Sequence, residues 1–287
     1  MIKNIILFIK GFIMGIANII PGVSGGTLAI ILGIYEDFIG ALSHFFKNFK
    51  KNLLFILPVG IGMLASIATM SNVIDYSLNH YTLATVLFFV GLVLGGIPLL
   101  LNKVKGKKDS KVVSNVIAFL ITFSIVIFMA VAKLIFSTDF AVSFSGMGLI
   151  GFILLFLVGI LAAGTMVIPG VSGSLVLMLI GYYEPVIKTI KNLVHFNNPA
   201  HNGLIIVIFG LGIVVGIVGI ARLFEYLFKK HETVTYYGVL GFIFASIIAI
   251  PISTFTSISV TFKVLELVIG LVFLVVGTII AYKLGEK

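Results

Sequence analysis

The heptapeptide Pro21-Gly22-Val23-Ser24-Gly25-Gly26-Thr27 interrupts an apolar run, and its core returns 148 residues later as Pro169-Gly170-Val171-Ser172-Gly173-Ser174. The register holds beyond it through Gly33/Gly181, Tyr35/Tyr183 and Glu36/Glu184. Past the motif the halves align at a shift of 150, pairing Gly60/Gly210, Gly62/Gly212, Asp75/Glu225, Tyr76/Tyr226 and Gly91/Gly241. The duplication covers most of the chain, so whatever the break does, it does twice.

The medium around these repeats follows from the balance of apolar and charged residues. Of 287 residues, 60% are hydrophobic and only 10% charged, where globular chains carry about 25% charged residues. Apolar runs approaching the roughly 20 residues that cross a hydrocarbon core recur along the whole length, which makes this a polytopic membrane protein with no soluble domain of useful size. Cysteine is absent, which excludes disulfides and thiol chemistry. The net charge of +9 comes from lysines clustered between apolar runs, where topology-setting charge belongs, and does not point to nucleic acid. Lys3 and Lys10 ahead of an apolar stretch imitate a signal peptide, but no small-residue cleavage site follows and the motif recurs in mid-chain, so the segment is expected to be retained. Most of the nine tyrosines, including Tyr35, Tyr76, Tyr81, Tyr226, Tyr236 and Tyr282, fall at the ends of apolar runs, as an interfacial belt requires.

The fold class expected is an all-α membrane protein of two inverted-topology repeats. Repeat one covers residues 1–140, with a re-entrant hairpin at 11–45 and spans at 52–76, 81–101 and 112–136. Repeat two covers 141–287, with a hairpin at 148–190 and spans at 204–228, 235–251 and 262–284. The arms Gly11 to Ile20 and Thr27 to Tyr35 each reach about 14 Å, half of a core of roughly 30 Å. The break is therefore read as a re-entrant tip near the midplane, with two full spans joined by a surface turn as the alternative. Either way each half crosses an odd number of times, so its copy enters upside down, the plan of many secondary transporters. With the N-terminus inside, the inner side receives fifteen of the nineteen Lys and Arg, and the outer side only Lys133, Lys188, Lys191 and Lys263. That split places both termini in the cytoplasm.

Pro21 and Pro169 end the incoming helices, and Gly22 and Gly170 permit a hinge. The following helices begin with unpaired N–H groups, and Ser24, Gly25, Gly26, Thr27, Ser172, Gly173 and Ser174 surround them with hydroxyls and bare backbone. Each tip is thus a candidate anion cradle, the alternative being a glycine packing knot. Glu36, Glu184 and Glu225 are carboxylates within or beside apolar segments, and they are the candidates for H+ or Na+ coupling. Arg222, the only arginine, suits a phosphate bidentately, or else pairs with Glu225 three residues on. Gly11/Gly15, Gly91/Gly95 and Gly212/Gly216 have the spacing of close helix packing. The five histidines lack ligand spacing, no metal or cofactor is expected, and no nucleophile–base pair suggests an enzyme.

The paired motif, with Gly33/Gly181 and Glu36/Glu184, resembles the bacterial polyprenyl-phosphate (undecaprenyl-phosphate) translocase family PopT, formerly a domain of unknown function. The likeness runs over essentially the whole chain; Ser174 and Leu175 depart from the Gly26 and Thr27 of repeat one. It implies a plasma-membrane flippase returning undecaprenyl phosphate, an anionic isoprenoid phospholipid, from the outer to the inner leaflet for cell-wall synthesis. The residues alone reach only an inverted-repeat transporter for an anion, and leave a carrier of small soluble anions open.

Overall fold

The computed structural model describes residues 2–20, 23–105, 112–135, 142–255 and 264–285, and every regular element among them is an α-helix. The first half holds α1 (Ile2–Ile19), α2 (Gly25–Ile31), α3 (Tyr35–Ser43), α4 (Phe49–His80), α5 (Thr82–Val104) and α6 (Val112–Ile135). The second holds α7 (Leu149–Val167), α8 (Gly173–Leu179), α9 (Tyr183–Val194), α10 (Pro199–Lys230), α11 (Glu232–Phe255) and α12 (Val264–Gly285). Eight of these, α1, α4, α5, α6, α7, α10, α11 and α12, are long and apolar enough to cross a membrane. Their outward faces carry Leu120, Phe128, Leu211, Leu271 and Val275, all exposed. Lipid tails accept such a surface at no cost, and the protein is a multi-pass membrane protein.

Two helix boundaries differ from expectation. The first arm starts at Ile2 instead of Gly11, so it measures about 27 Å and not half a core. The reason is Lys10, which does not mark an interface: its Nζ donates to the Leu32 carbonyl at 2.7 Å, capping the end of α2. The second arm is not continuous either, because α2 stops before Gly33 and α8 before Gly181. These glycines adopt φ of +67° and +74°, and the next residues, Ile34 and Tyr182, donate back to Ala29 and Leu177 at 2.9 Å. Such a left-handed stop suits glycine. Pro21 and Gly22 lie outside the described residues, as do Lys107, Lys108, Lys111, Lys263 and Lys287 of the charge count and the half boundary at 140.

Small residues fix which helices touch. A Cβ on Gly11 would lie 2.1 Å from the Val59 carbonyl oxygen, and one on Gly62 2.2 Å from that of Phe8. In the second half Gly159 and Gly212 stand in the same relation to Phe209 and Phe156, at 2.5 and 2.2 Å. Helices α1 and α4, and likewise α7 and α10, therefore pack backbone to backbone and run parallel. A second set of contacts exchanges helices between the halves. Gly91 meets the Leu274 carbonyl and Gly277 that of Phe88, joining α5 to α12, while Gly241 meets that of Phe119, joining α11 to α6. Each of the three glycine pairs noted in the sequence thus packs helices within this chain.

These contacts predict a sharp contrast between neighbouring glycines. Gly62→Val or Gly212→Val forces a helix pair apart and should cost about 1–3 kcal/mol or more. Gly60→Ala and Gly210→Ala meet nothing within 4 Å and should be neutral or stabilise by up to about 1 kcal/mol. Thermal unfolding in detergent separates the two classes; equal behaviour would refute the close packing.

Candidate functional site

The two tips meet. On the first, Ser24 caps α2 and its Oγ accepts from the Gly26 N–H at 3.2 Å, while Asn18 Oδ1 accepts from the Gly25 N–H at 2.8 Å. The Ser24 carbonyl takes the Thr27 N–H at 3.0 Å. The opening amides of α2, left without partners by helix geometry, are thus engaged locally. On the second tip Ser172 caps α8, accepting from the Leu175 N–H at 3.4 Å, with its Oγ 2.9 Å from that of Ser174.

Three hydrogen bonds stitch one tip to the other. The Gly170 N–H donates to Thr27 Oγ1 at 2.8 Å, Ser24 Oγ donates to the Ile168 carbonyl at 3.4 Å, and Tyr35 Oη donates to the Val167 carbonyl at 3.1 Å. Pro169 stands over Gly26, whose Cβ position lies 3.4 Å from the proline Cα and 3.2 Å from the Val167 carbonyl. Thr27 and Ser24 are 1% and 4% exposed, so these hydroxyls serve the junction and not solvent. Gly173 packs against the Ala162 carbonyl of α7. Beside the second tip a narrow cleft runs between α6 and α11. Val126, Met129, Ala130 and Ala249 line it, with Ser172 and Ser253 as its polar walls.

The other expected residues lie elsewhere. Arg222, exposed on α10, donates from Nε to the Ser43 carbonyl at 3.2 Å and has no described contact with either tip. Glu225 does not pair with it. Its oxygens take Lys229 Nζ at 2.6 Å, His44 Nδ1 at 3.2 Å and the hydroxyl of Ser43. Glu36 pairs with Lys103 at 3.1 Å and with the hydroxyl of Tyr236. Between these two carboxylate clusters Tyr35 packs edge-on to Phe224 and Phe228, at 6.3 and 6.1 Å, and Phe228 packs on Tyr236. Helix α3 is thereby latched to α5, α10 and α11 at the face of the bundle where α1 begins. Glu184 lies at the far face in an open basin, and α9 has no comparable seat on α4.

Several participants are not legible as site residues. Tyr35 and Tyr236 sit at ends of apolar runs, yet both are 4% exposed and so belong to the latch, not to an interfacial belt. The belt positions Tyr76, Tyr81, Tyr226 and Tyr282 are exposed. Asn18 and Ser246, the latter donating to the carbonyls of Phe242 at 2.8 Å and Gly170 at 3.5 Å, are single polar residues in apolar helices. That isolation was the one available signal, since a polar group in lipid needs a partner.

Residues 14–264 match the undecaprenyl phosphate translocase-like family. The chain is 31% identical to a polyprenyl-phosphate transporter of Staphylococcus aureus (strain NCTC 8325 / PS 47), across 97% of this chain and 95% of that protein. It is 27% identical to a polyprenyl-phosphate transporter of Vibrio cholerae serotype O1, across 79% of this chain and 71% of that one. No solved structure matches. With the family match spanning most of its length and the duplicated tips inside it, this chain belongs to the undecaprenyl phosphate translocase-like family.

Proposed function

We propose that this protein is a flippase that returns undecaprenyl phosphate from the outer to the inner leaflet of the bacterial plasma membrane, without a catalytic step. The relatives' names and the family match support the substrate. The observation that carries the reading is the junction of the tips with the cleft between α6 and α11 beside it. Its lining is mainly apolar with Ser172 and Ser253 as the polar groups, and at about 10 Å³ it must widen before a phosphate can reach Ser172 with the isoprenoid chain left in lipid. A carrier of soluble anions has no use for a slit of that composition between membrane helices.

The two halves, 1–140 and 141–287, are on this reading inverted repeats whose hairpins re-enter at the tips. Support comes from helix direction: α4 starts close to Ser43, and α10 reaches the same residue near its end. The positive-inside count assigns the α1 face and both termini to the cytoplasm. The latched α3 and the unseated α9 then correspond to a state closed inside and available outside, as alternating access requires. Glu36 and Glu225 are latch members, so protonation of either weakens the closed inner end and supplies a route for H+ coupling. Glu184 is the matching candidate outside, and the phosphate-binding roles of Gly25, Gly26, Thr27, Gly173, Ser174 and Arg222 belong to this same proposal.

The test is a leaflet-resolved assay of undecaprenyl phosphate in proteoliposomes, with pH and sodium gradients varied. Ser24→Ala with Ser172→Ala should lower the rate at least tenfold while thermal unfolding shows a folded protein. Wild-type rates from the double variant would defeat the assignment of the tips. Transport of inorganic phosphate in place of the lipid would establish the soluble-anion reading instead.

A further inference from the structure

A basin of about 580 Å³ with a mixed lining opens at the far face between α9, the start of α10 and the segment 142–145. Lys188, Asn192, His201, Asn202, Ser143 and Ser145 line it together with Glu184. We propose that this basin is a capture site for the phosphate monoester headgroup of an isoprenoid lipid. This inference rests on the outer-to-inner reading above.

The recess is built, not incidental. Its floor segment is tied down by the Val142 N–H donating to the Gly181 carbonyl and by His201 Nε2 on the Phe144 carbonyl, both at 3.1 Å. Its corner is held in unusual backbone: Phe196 and Asn198 adopt φ of +56° and +44°. A bulky residue rarely stays in the left-handed region unless its surroundings over-determine it. Here the Asn197 N–H donates to the Asn192 carbonyl at 2.9 Å and Asn202 Nδ2 donates to the Asn197 carbonyl at 2.5 Å. Those bonds lock two lining residues, Asn192 and Asn202, to the corner.

The basin also has a partial copy, in which Gly40 stands at the register position of Lys188. At the α1 face a larger recess of about 1320 Å³ is lined by Glu36, His44, Lys51 and Asn52, the register partners of Glu184, Asn192, His201 and Asn202. One nitrogenous side chain, Lys51 or His201, and one asparagine, Asn52 or Asn202, occupy matching positions at both faces. Lys3, Lys10 and Lys50 add charge only to the first. A lipid phosphate must be met at one face and released at the other, and paired recesses at the two faces suit that need.

Depth and charge agree. Beside the basin, Ile190, Val194 and Phe196 are exposed to 43%, 68% and 82%. Apolar groups presented beside a recess of mixed lining place this segment at the headgroup level of a bilayer. A phosphate monoester carries about −1.5 to −2 charges near neutrality. Lys188 offers it a mobile ammonium, and the asparagine and serine groups offer neutral donors. Glu184 lies one turn before Lys188 on the same helix face, so an arriving phosphate competes with that carboxylate for the ammonium.

The experiment is equilibrium binding to the full-length protein of a short-chain polyprenyl monophosphate, with inorganic phosphate and the unphosphorylated prenol as separate arms. Lys188→Ala, alone and with His201→Ala, should weaken monophosphate binding about tenfold or more. Lys188→Arg should retain binding, and His195→Ala, an exposed change outside the basin, should not alter it. Unchanged binding by Lys188→Ala, or an equal loss in His195→Ala, would overturn the site. Tight binding of inorganic phosphate without lipid transport would instead overturn the flippase reading and keep the basin. Lipid transport and binding that survive Lys188→Ala would do the reverse.

Discussion

Gly170→Ala is expected to abolish lipid transport and to destabilise the protein by about 2–5 kcal/mol. Gly170 holds φ of +78°, a conformation that costs an L-residue with a side chain roughly 1–2 kcal/mol. An added Cβ would also lie 2.6 Å from Ser246 Oγ and 2.7 Å from the Phe242 carbonyl oxygen, and such overpacking costs about 1–3 kcal/mol more. The second obstacle is α11 backbone, so a rotamer change of Ser246 cannot relieve it. The displaced tip would withdraw the Gly170 N–H from Thr27 Oγ1, breaking one of the three hydrogen bonds between the tips. Ser246→Ala should restore only part of the loss, because the Phe242 contact stays. Thr27→Val is the milder probe: it preserves shape and leaves a buried N–H unpaired, at about 1–3 kcal/mol. Thermal unfolding in detergent and the leaflet assay measure both effects, and a Gly170→Ala protein that melts and transports like wild type would refute the junction.

That junction marks how far the sequence can be read. Ser24 and Ser172, read in the sequence as parts of an anion cradle, cap α2 and α8 in the structure, and capping is decided within a few residues of chain. Long apolar helices were legible for a similar reason: lipid selects for apolar content, and eight such helices stand among the described residues. Contacts between segments were not legible. Lys10 looks interfacial in a linear reading, yet it reaches 22 residues on to Leu32 because the hairpin brings the end of α2 beside the middle of α1. Arg222 and Glu225, three residues apart, invite an ion pair, but Arg222 donates to the Ser43 carbonyl of α3 while Glu225 takes the Ser43 hydroxyl, His44 and Lys229. The register gave equivalent residues in the two halves, whereas partners across the halves depend on packing that no single-strand pattern records. It also could not say that equivalent residues would sit in different surroundings, as Glu36 and Glu184 do.

Inequivalence of that kind gives the second large effect, at the face where α9 has no seat on α4. If the halves exchange conformations during transport, α9 must dock on α4 as α3 now docks on α10. Carrying each latch residue to its register partner defines the closed outer end. Tyr183 takes the place of Tyr35 and donates to the Ile19 carbonyl in the place of Val167, while Ile74 and Leu78 stand for Phe224 and Phe228. Lys191 takes the place of Ser43 and Asp75 that of Glu225, so an ion pair replaces the hydroxyl–carboxylate bond. Both Asp75 and Lys191 are exposed in this structure. The chain has no cysteine, so Asp75→Cys with Lys191→Cys creates a single possible disulfide. The pair is expected to cross-link during turnover and to hold transport below about a tenth of wild type until reductant is added, because Cβ atoms must approach within about 4.5 Å to be bridged. The converse change weakens the present latch. Tyr35→Phe removes one buried hydrogen bond, worth about 0.5–1.5 kcal/mol, and should move the population toward the outer-closed state by about two- to tenfold, raising the cross-linking rate of the cysteine pair. A cysteine pair that never cross-links during turnover, or that transports at full rate once cross-linked, would refute the exchange.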